Sequence, residues 1–312
     1  MASNDKQVGR RGFLAGAAAL GVASVLTAPA IGRTDDAGAV FRTIPSTGER
    51  IPALGMGTWV EFNVGESETL RRNCLDITRR FLAAGGGMID SSPMYGTAED
   101  VIGWCLARID DPRALVSASK IWTPAGGGTA EQLARSETLW GIERFDLMQV
   151  HNLVDWREHL AFLFDAKAAD RVRYVGITTS HGSRHAEMMK IMESQPIDFV
   201  QFTYNILDRE AEARLLPLAR DRGIAVIVNR PFRRKDLFHH VGDTPLPEWA
   251  QEFDATNWAQ FFLKFVLAHP AVTCAIPATS VPAHMDENMG ALSGPLPDAA
   301  MARRMAAYVE SL

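Results

Sequence analysis

The sequence predicts an α/β fold, a (β/α)8 TIM barrel with a short N-terminal β-hairpin. Brief apolar, β-branched runs alternate with longer segments of helical period, and eight such pairs can be counted. Several runs are apolar on consecutive residues, as strands covered on both faces should be. No Gly-x-Gly-x-x-Gly follows an early strand, which a doubly wound dinucleotide-binding sheet would normally carry.

The chain begins with a segment outside that pattern. Arg10 and Arg11 precede Gly12-Phe13-Leu14, a mild apolar run and the small-residue site Ala28-Pro29-Ala30. Basic, apolar, small is the order of a signal peptide, and the arginine pair resembles the twin-arginine export signal. The run is too short and too rich in Gly and Ala for a stable membrane span. Residues 1–33 are therefore expected to engage the twin-arginine export machinery, giving a periplasmic or exported protein, cytoplasmic if the signal is not used. A polar linker at 34–39 leads to a barrel over 40–312.

The hairpin is predicted over 40–44 and 50–52, around a turn at Ser46-Thr47-Gly48. Barrel strands are predicted at 53–57, 88–90, 115–119, 147–151, 173–178, 199–203, 225–229 and 272–277. Helices are predicted at 68–84, 97–107, 129–141, 157–169, 183–193, 209–222 and 256–268. The glycine triplets 85–87 and 126–128 read as a helix end and a loop.

The composition narrows the chemistry. A formal net charge of -5 offers no global basic excess for nucleic acid. Cys74, Cys105 and Cys274 lie far apart without a Cys-x-x-Cys pair, so neither a zinc site nor a disulfide framework is expected. His239-His240 has no carboxylate at suitable spacing and reads as surface. No hydrolytic nucleophile constellation is present.

In such a barrel the active site forms where strands end. The second strand ends in Asp90, with Tyr95 just beyond; the third ends at Lys120 and the fourth at His151. A carbonyl accepting hydride needs a proton donor and polar stabilisation of its oxygen. Tyr95 can donate, but a free phenol has a pKa of about 10. A neighbouring Lys120 ammonium would lower it, Asp90 would hold Lys120 charged, and neutral His151 could donate a second hydrogen bond.

Ile51-Pro52-Ala53-Leu54-Gly55-Met56-Gly57-Thr58-Trp59, Ile89-Asp90-Ser91-Ser92-Pro93-Met94-Tyr95-Gly96, Ser119-Lys120 and Gln149-Val150-His151-Asn152 together resemble the aldo/keto reductase superfamily. So does Ile276-Pro277-Ala278-Thr279-Ser280 with Glu287-Asn288. The resemblance implies reversible hydride transfer between NADP or NAD and a small aldehyde or ketone, without metal. It makes Asp90, Tyr95, Lys120 and His151 the catalytic set, with Tyr95 as general acid. It places cofactor contacts at Gly57, Thr58, Trp59, Thr178, Thr179, Gln201, Asn229, Pro277, Thr279, Glu287 and Asn288, with Gln201 on the carboxamide; the loop after the seventh strand, where this fold often binds phosphate, adds Arg230, Phe232, Arg233 and Arg234. Trp59, Trp122 and Phe232 would line the substrate pocket.

The chain departs from the family pattern in places. Gly176-Ile177-Thr178-Thr179 stands where Gly-Val-Ser-Asn is common, and Asn229 where an aromatic often stacks on nicotinamide. Ala278 and His284 stand where NADP-preferring members carry Lys and Arg. Arg230, with Arg233 or Arg234, is the expected phosphate grip. The alternative to a working reductase is an exported cofactor-binding or redox-sensing barrel without significant turnover.

Overall fold

The computed structural model describes residues 39–312 apart from residues 111, 113, 114, 125 and 181. The expected signal peptide at 1–33, and all but the last residue of the linker, lie outside the described residues.

Strands β1 (Phe41–Thr43) and β2 (Arg50–Pro52) pair antiparallel as the predicted hairpin. The eight barrel strands are β3 (Met56–Gly57), β4 (Met88–Asp90), β5 (Val116–Ile121), β6 (Phe145–His151), β7 (Val172–Thr178), β8 (Phe199–Thr203), β9 (Ala225–Asn229) and β10 (Cys274–Ala275). They pair in chain order, all parallel. A parallel bridge between Leu54 and Ala275, with Gly55 N–H donating to Ala275 O at 2.8 Å and Gly57 N–H to Pro277 O at 3.0 Å, joins the two ends. That seam is short, so β3 and β10 are shorter than the predicted runs.

Strand alternation separates two layers. Met88, Leu147, Tyr174, Phe199, Ala225, Ile227 and Cys274 point inward and pack with Ile44 and Ile51 of the hairpin, which plugs the barrel's N-terminal end. The intervening Ile89, Met148, Val150, Val175, Ile177, Val200, Phe202, Val226 and Val228 face the helices. This is why the runs are apolar at every position yet end in polar inward residues.

The helices are α1 (Glu68–Ala83), α2 (Ala98–Leu106), α3 (Thr129–Trp140), α4 (Trp156–Ala168), α5 (His185–Ser194), α6 (Leu215–Arg222), α7 (Asp236–Val241), α8 (Trp258–Ala268), α9 (Pro282–Met289) and α10 (Ala299–Glu310). Helices α2 and α3 meet backbone to backbone at Gly103, where a Cβ would lie 1.9 Å from Leu139 O. The helix predicted over 209–222 is instead a turn at Glu210–Glu212 followed by α6. Starting at Leu215 puts Pro217 in the first turn, where its missing N–H breaks no helical bond. Among the described residues no helix is long and apolar enough to cross a membrane.

Candidate active site

The C-terminal rim brings the four expected residues together. Asp90 closes β4, two residues above the inward Met88, and Lys120 points inward from β5. His151 ends β6, while Tyr95 sits on a 3-10 turn, Pro93–Tyr95. Ser92 starts that turn by accepting the Met94 N–H at 3.2 Å.

Lys120 is wholly buried. Its Nζ donates to Asp90 Oδ2 at 2.5 Å and to Ser91 O at 2.6 Å, and it lies 5.1 Å from the centroid of the Tyr95 ring. The Tyr95 and His151 rings meet edge to face at 5.7 Å. The other Asp90 oxygen accepts from Gln149 Nε2 at 3.0 Å and Gln201 Nε2 at 2.9 Å.

These contacts set the protonation states. Burial pulls the Lys120 ammonium down, but the Asp90 carboxylate and the Tyr95 hydroxyl outweigh it, and its pKa is raised. Burial pushes the Tyr95 phenol up, against the pull of Lys120. The expected lowering by Lys120 is therefore present but does not prevail in the resting site, and Tyr95 is held as a protonated donor. Burial, then the Lys120 charge, lowers His151 to about 3, so its imidazole is neutral.

A cavity of about 970 Å³ opens beside this cluster. Asp90, Tyr95 and His151 reach its wall, and Lys120 lies behind it. Gly57, Thr58 and Trp59 line one side, with Thr58 Oγ1 donating to Asp90 O at 2.9 Å. Thr178, Gln201 and Asn229 line the floor. The Gln201 amide is fully engaged: Nε2 serves Asp90 and Gln149, while Oε1 accepts from Thr178 at 3.0 Å and Asn229 at 3.3 Å. It braces the carboxylate, and holding a carboxamide as expected would require exchanging one of those bonds.

Arg230, Phe232 and Arg234 line the cavity on the loop after β9. Arg230 donates to Ser180 O and Oγ, both at 3.0 Å, and Phe232 packs on Phe238 with centroids 5.0 Å apart. Arg234 lies over the Trp59 ring at 4.8 Å. Pro277, Thr279, Glu287 and Asn288 line the far end, along with Ala278 and His284.

Besides Lys120, three expected residues do not reach this wall. Thr179 is buried beneath it, its N–H donating to Gln201 O and its carbonyl accepting from Asn229. Trp122 is 44% exposed outside it, its backbone bridged by the Gln132 side chain. Arg233 faces an adjoining polar cleft, with Asp208 3.4 Å away.

Sequence reasoning gave no roles to Ser92 or Gln149. Gln149 was readable, because it lies two residues before His151 and so shares its inward face. Ser92 carried no comparable signal. Among the described residues no group of three or more His, Cys, Asp or Glu could hold a metal ion.

A parallel barrel with a buried Asp–Lys pair beneath a tyrosine and a neutral histidine at its C-terminal rim defines the class. The aldo/keto reductase family profile matches residues 53–308, and the chain belongs to that family. It is 25% identical over 217 residues to the NADH-specific methylglyoxal reductase of Escherichia coli (strain K12), covering 58% of this chain and 64% of that protein. It is 27% identical over 241 residues to pyridoxine 4-dehydrogenase of the same organism, covering 71% of this chain and 82% of that protein. It spans less than two thirds of the methylglyoxal reductase and 60% of the Bacillus subtilis (strain 168) aldo-keto reductase YhdN. In fold it is similar to a crystal structure of a Klebsiella pneumoniae aldo-keto reductase in complex with NADPH, with TM-score 0.71 and 21% identity over 86% of this chain and 95% of that one.

Proposed function

We propose that the protein reduces an aldehyde or ketone to an alcohol with NADH or NADPH. The observation that carries this is the Lys120 ammonium, buried between the Asp90 carboxylate and the Tyr95 phenol at the edge of a large open cavity.

The cavity suits a dinucleotide with room for a small carbonyl compound. Its volume is at the upper end of the range of about 300–1,000 Å³ for ligand pockets, and it runs from the four polar residues to the start of α9. Arg230, Arg234 and Lys235 supply positive charge along its side, and Trp59 and Phe232 supply apolar surface. These residues would hold the cofactor, which when bound supplies the hydride. The relative named as an NADH-specific reductase and the neighbour in complex with NADPH support a nicotinamide cofactor.

The chain's own part is proton management. Tyr95 gives its proton to the carbonyl oxygen, and the phenolate left behind faces Lys120. Asp90 keeps that lysine charged, and Gln149 and Gln201 keep Asp90 oriented. Neutral His151 presents a second polar edge to the same oxygen. The arrangement places donors where negative charge develops.

We further propose that residues 1–33 are a twin-arginine-type signal and that the enzyme leaves the cytoplasm folded, with cofactor bound. The far end of the cavity offers Ala278 and His284 rather than two cations, so the phosphates fall to the loop after β9. Two experiments test the carbonyl chemistry and the placement of the nucleotide. Steady-state consumption of NADH and NADPH with a panel of aldehydes and ketones should show turnover; tight nucleotide binding without turnover would instead support a sensor. Arg234→Ala should weaken nucleotide binding and Arg233→Ala should not; wild-type affinity in Arg234→Ala would take that arginine out of the site.

A further inference from the structure

A serine outside the catalytic four meets a ring nitrogen of His151. Ser92 Oγ lies 2.8 Å from His151 Nδ1, and the two residues are 0% and 6% exposed. The same oxygen accepts the Met94 N–H that opens the turn bearing Tyr95. A hydroxyl has one proton to give, and a neutral imidazole has one donor nitrogen and one acceptor nitrogen.

Only two arrangements are open. If Nδ1 carried the proton, it would donate to Ser92, and the serine's own proton would need another acceptor. Among the described residues Ser92 Oγ has no partner besides Met94 N and His151 Nδ1. That proton would be buried and unpaired, which costs free energy. If Ser92 donates to Nδ1, every bond is satisfied and the imidazole proton resides on Nε2. The ring lines the cavity, and with Nδ1 turned to Ser92 its other nitrogen is left to face it.

We infer that Ser92 is a positioning residue that holds His151 in its Nε2–H tautomer. The inference rests on the carbonyl-reductase reading for its consequence: a substrate oxygen beside Tyr95 meets a second N–H donor. The opposite tautomer would confront it with a lone pair. The depressed pKa of His151 keeps the imidazole neutral, so the tautomer rather than the charge is what requires fixing. One serine thus orders both proton-bearing groups, capping the turn under Tyr95 and aligning His151.

The tautomer is directly observable. Two-bond proton–nitrogen correlation spectra of 15N-histidine-labelled full-length protein, with His151 assigned by loss of its signals in His151→Asn, should show a protonated Nε2 and an unprotonated Nδ1. Ser92→Ala should mix the tautomers and lower kcat about 10- to 100-fold, with nucleotide affinity within about twofold of wild type. Ser92→Thr, which keeps the hydroxyl, should restore both. A wild-type Nδ1–H signature overturns the inference. So does a Ser92→Ala protein that loses kcat while keeping the wild-type tautomer, because the serine would then act only through its turn. The spectrum needs no turnover, so a wild type that reduces no carbonyl would sink the functional reading and leave this result standing.

Discussion

Asp90→Asn keeps the shape of the side chain and removes its charge, which makes it the most informative perturbation of the proton-management scheme. The native carboxylate accepts Lys120 on one oxygen at 2.5 Å and two glutamine amides on the other at 2.9 and 3.0 Å. An asparagine must turn its NH2 toward one of those groups, all of them donors, so a donor faces a donor in either orientation. The buried ammonium also loses its ion-pair partner. Breaking one side of a buried pair costs about 3–5 kcal/mol. With Asp90 gone, burial dominates and lowers the Lys120 pKa. If about 3 kcal/mol of phenolate stabilisation disappears, kcat falls about 100-fold, since about 1.4 kcal/mol is a factor of ten. The sign of the pH dependence is diagnostic. A lysine with a lowered pKa is charged only toward acid, so the remaining activity of the variant should decline as pH rises while wild type stays flat. The assay is initial-rate consumption of nicotinamide cofactor across pH, beside a urea unfolding curve for each protein. A variant with wild-type kcat, pH profile and unfolding midpoint would refute the role given to Asp90.

Three further outcomes follow from two buried groups. His151 is lowered from 6.5 to about 3, so kcat should show no inflection near the ordinary histidine range. Between those two values the unfolded chain binds a proton that the native site refuses, so this residue destabilises the fold as pH falls. His151→Asn should therefore lose less stability than wild type on acidification through that window, as read by denaturation at each pH. Lys264, fully buried on α8, donates to Phe253 O and Ser293 O at 2.6 Å and to Pro295 O at 3.3 Å. Lys264→Met leaves the buried Phe253 carbonyl without its donor and should lower the unfolding free energy by about 1–3 kcal/mol; an unchanged urea midpoint would contradict that.

The fold was most legible where strands are covered on both faces. The predicted runs 199–203 and 225–229 match β8 and β9 residue for residue, because apolar side chains are needed inside and outside the barrel there. It was least legible at the seam, where β3 and β10 pair over too few residues to impose a pattern. Pro217 moved a helix start by its geometry, and the predicted helix had ignored it. The 236–253 region, with α7 and a 3-10 turn, lies between the predicted elements and was assigned to none of them. In the site, Asp90, Lys120 and His151 were visible because a polar or ionisable group at an inward strand end is costly to bury without a use. Trp122 lies outside the cavity wall, and an exposed aromatic in a loop carries no directional information. Ser92 and the saturated Gln201 depend on distances across strands, which no local pattern encodes.

Tyr95→Phe isolates the central proposition, that the phenol delivers the proton. Fluorescence titration with NADH and NADPH, paired with stopped-flow single-turnover reduction of an aldehyde that wild type accepts, separates binding from chemistry. The expected result is nucleotide affinity within about twofold of wild type and a reduction rate lowered at least about 100-fold, consistent with the contribution of a positioned general acid. Reduction at the wild-type rate with nucleotide bound would mean the proton comes from elsewhere, and the chemistry assigned to this rim would be wrong.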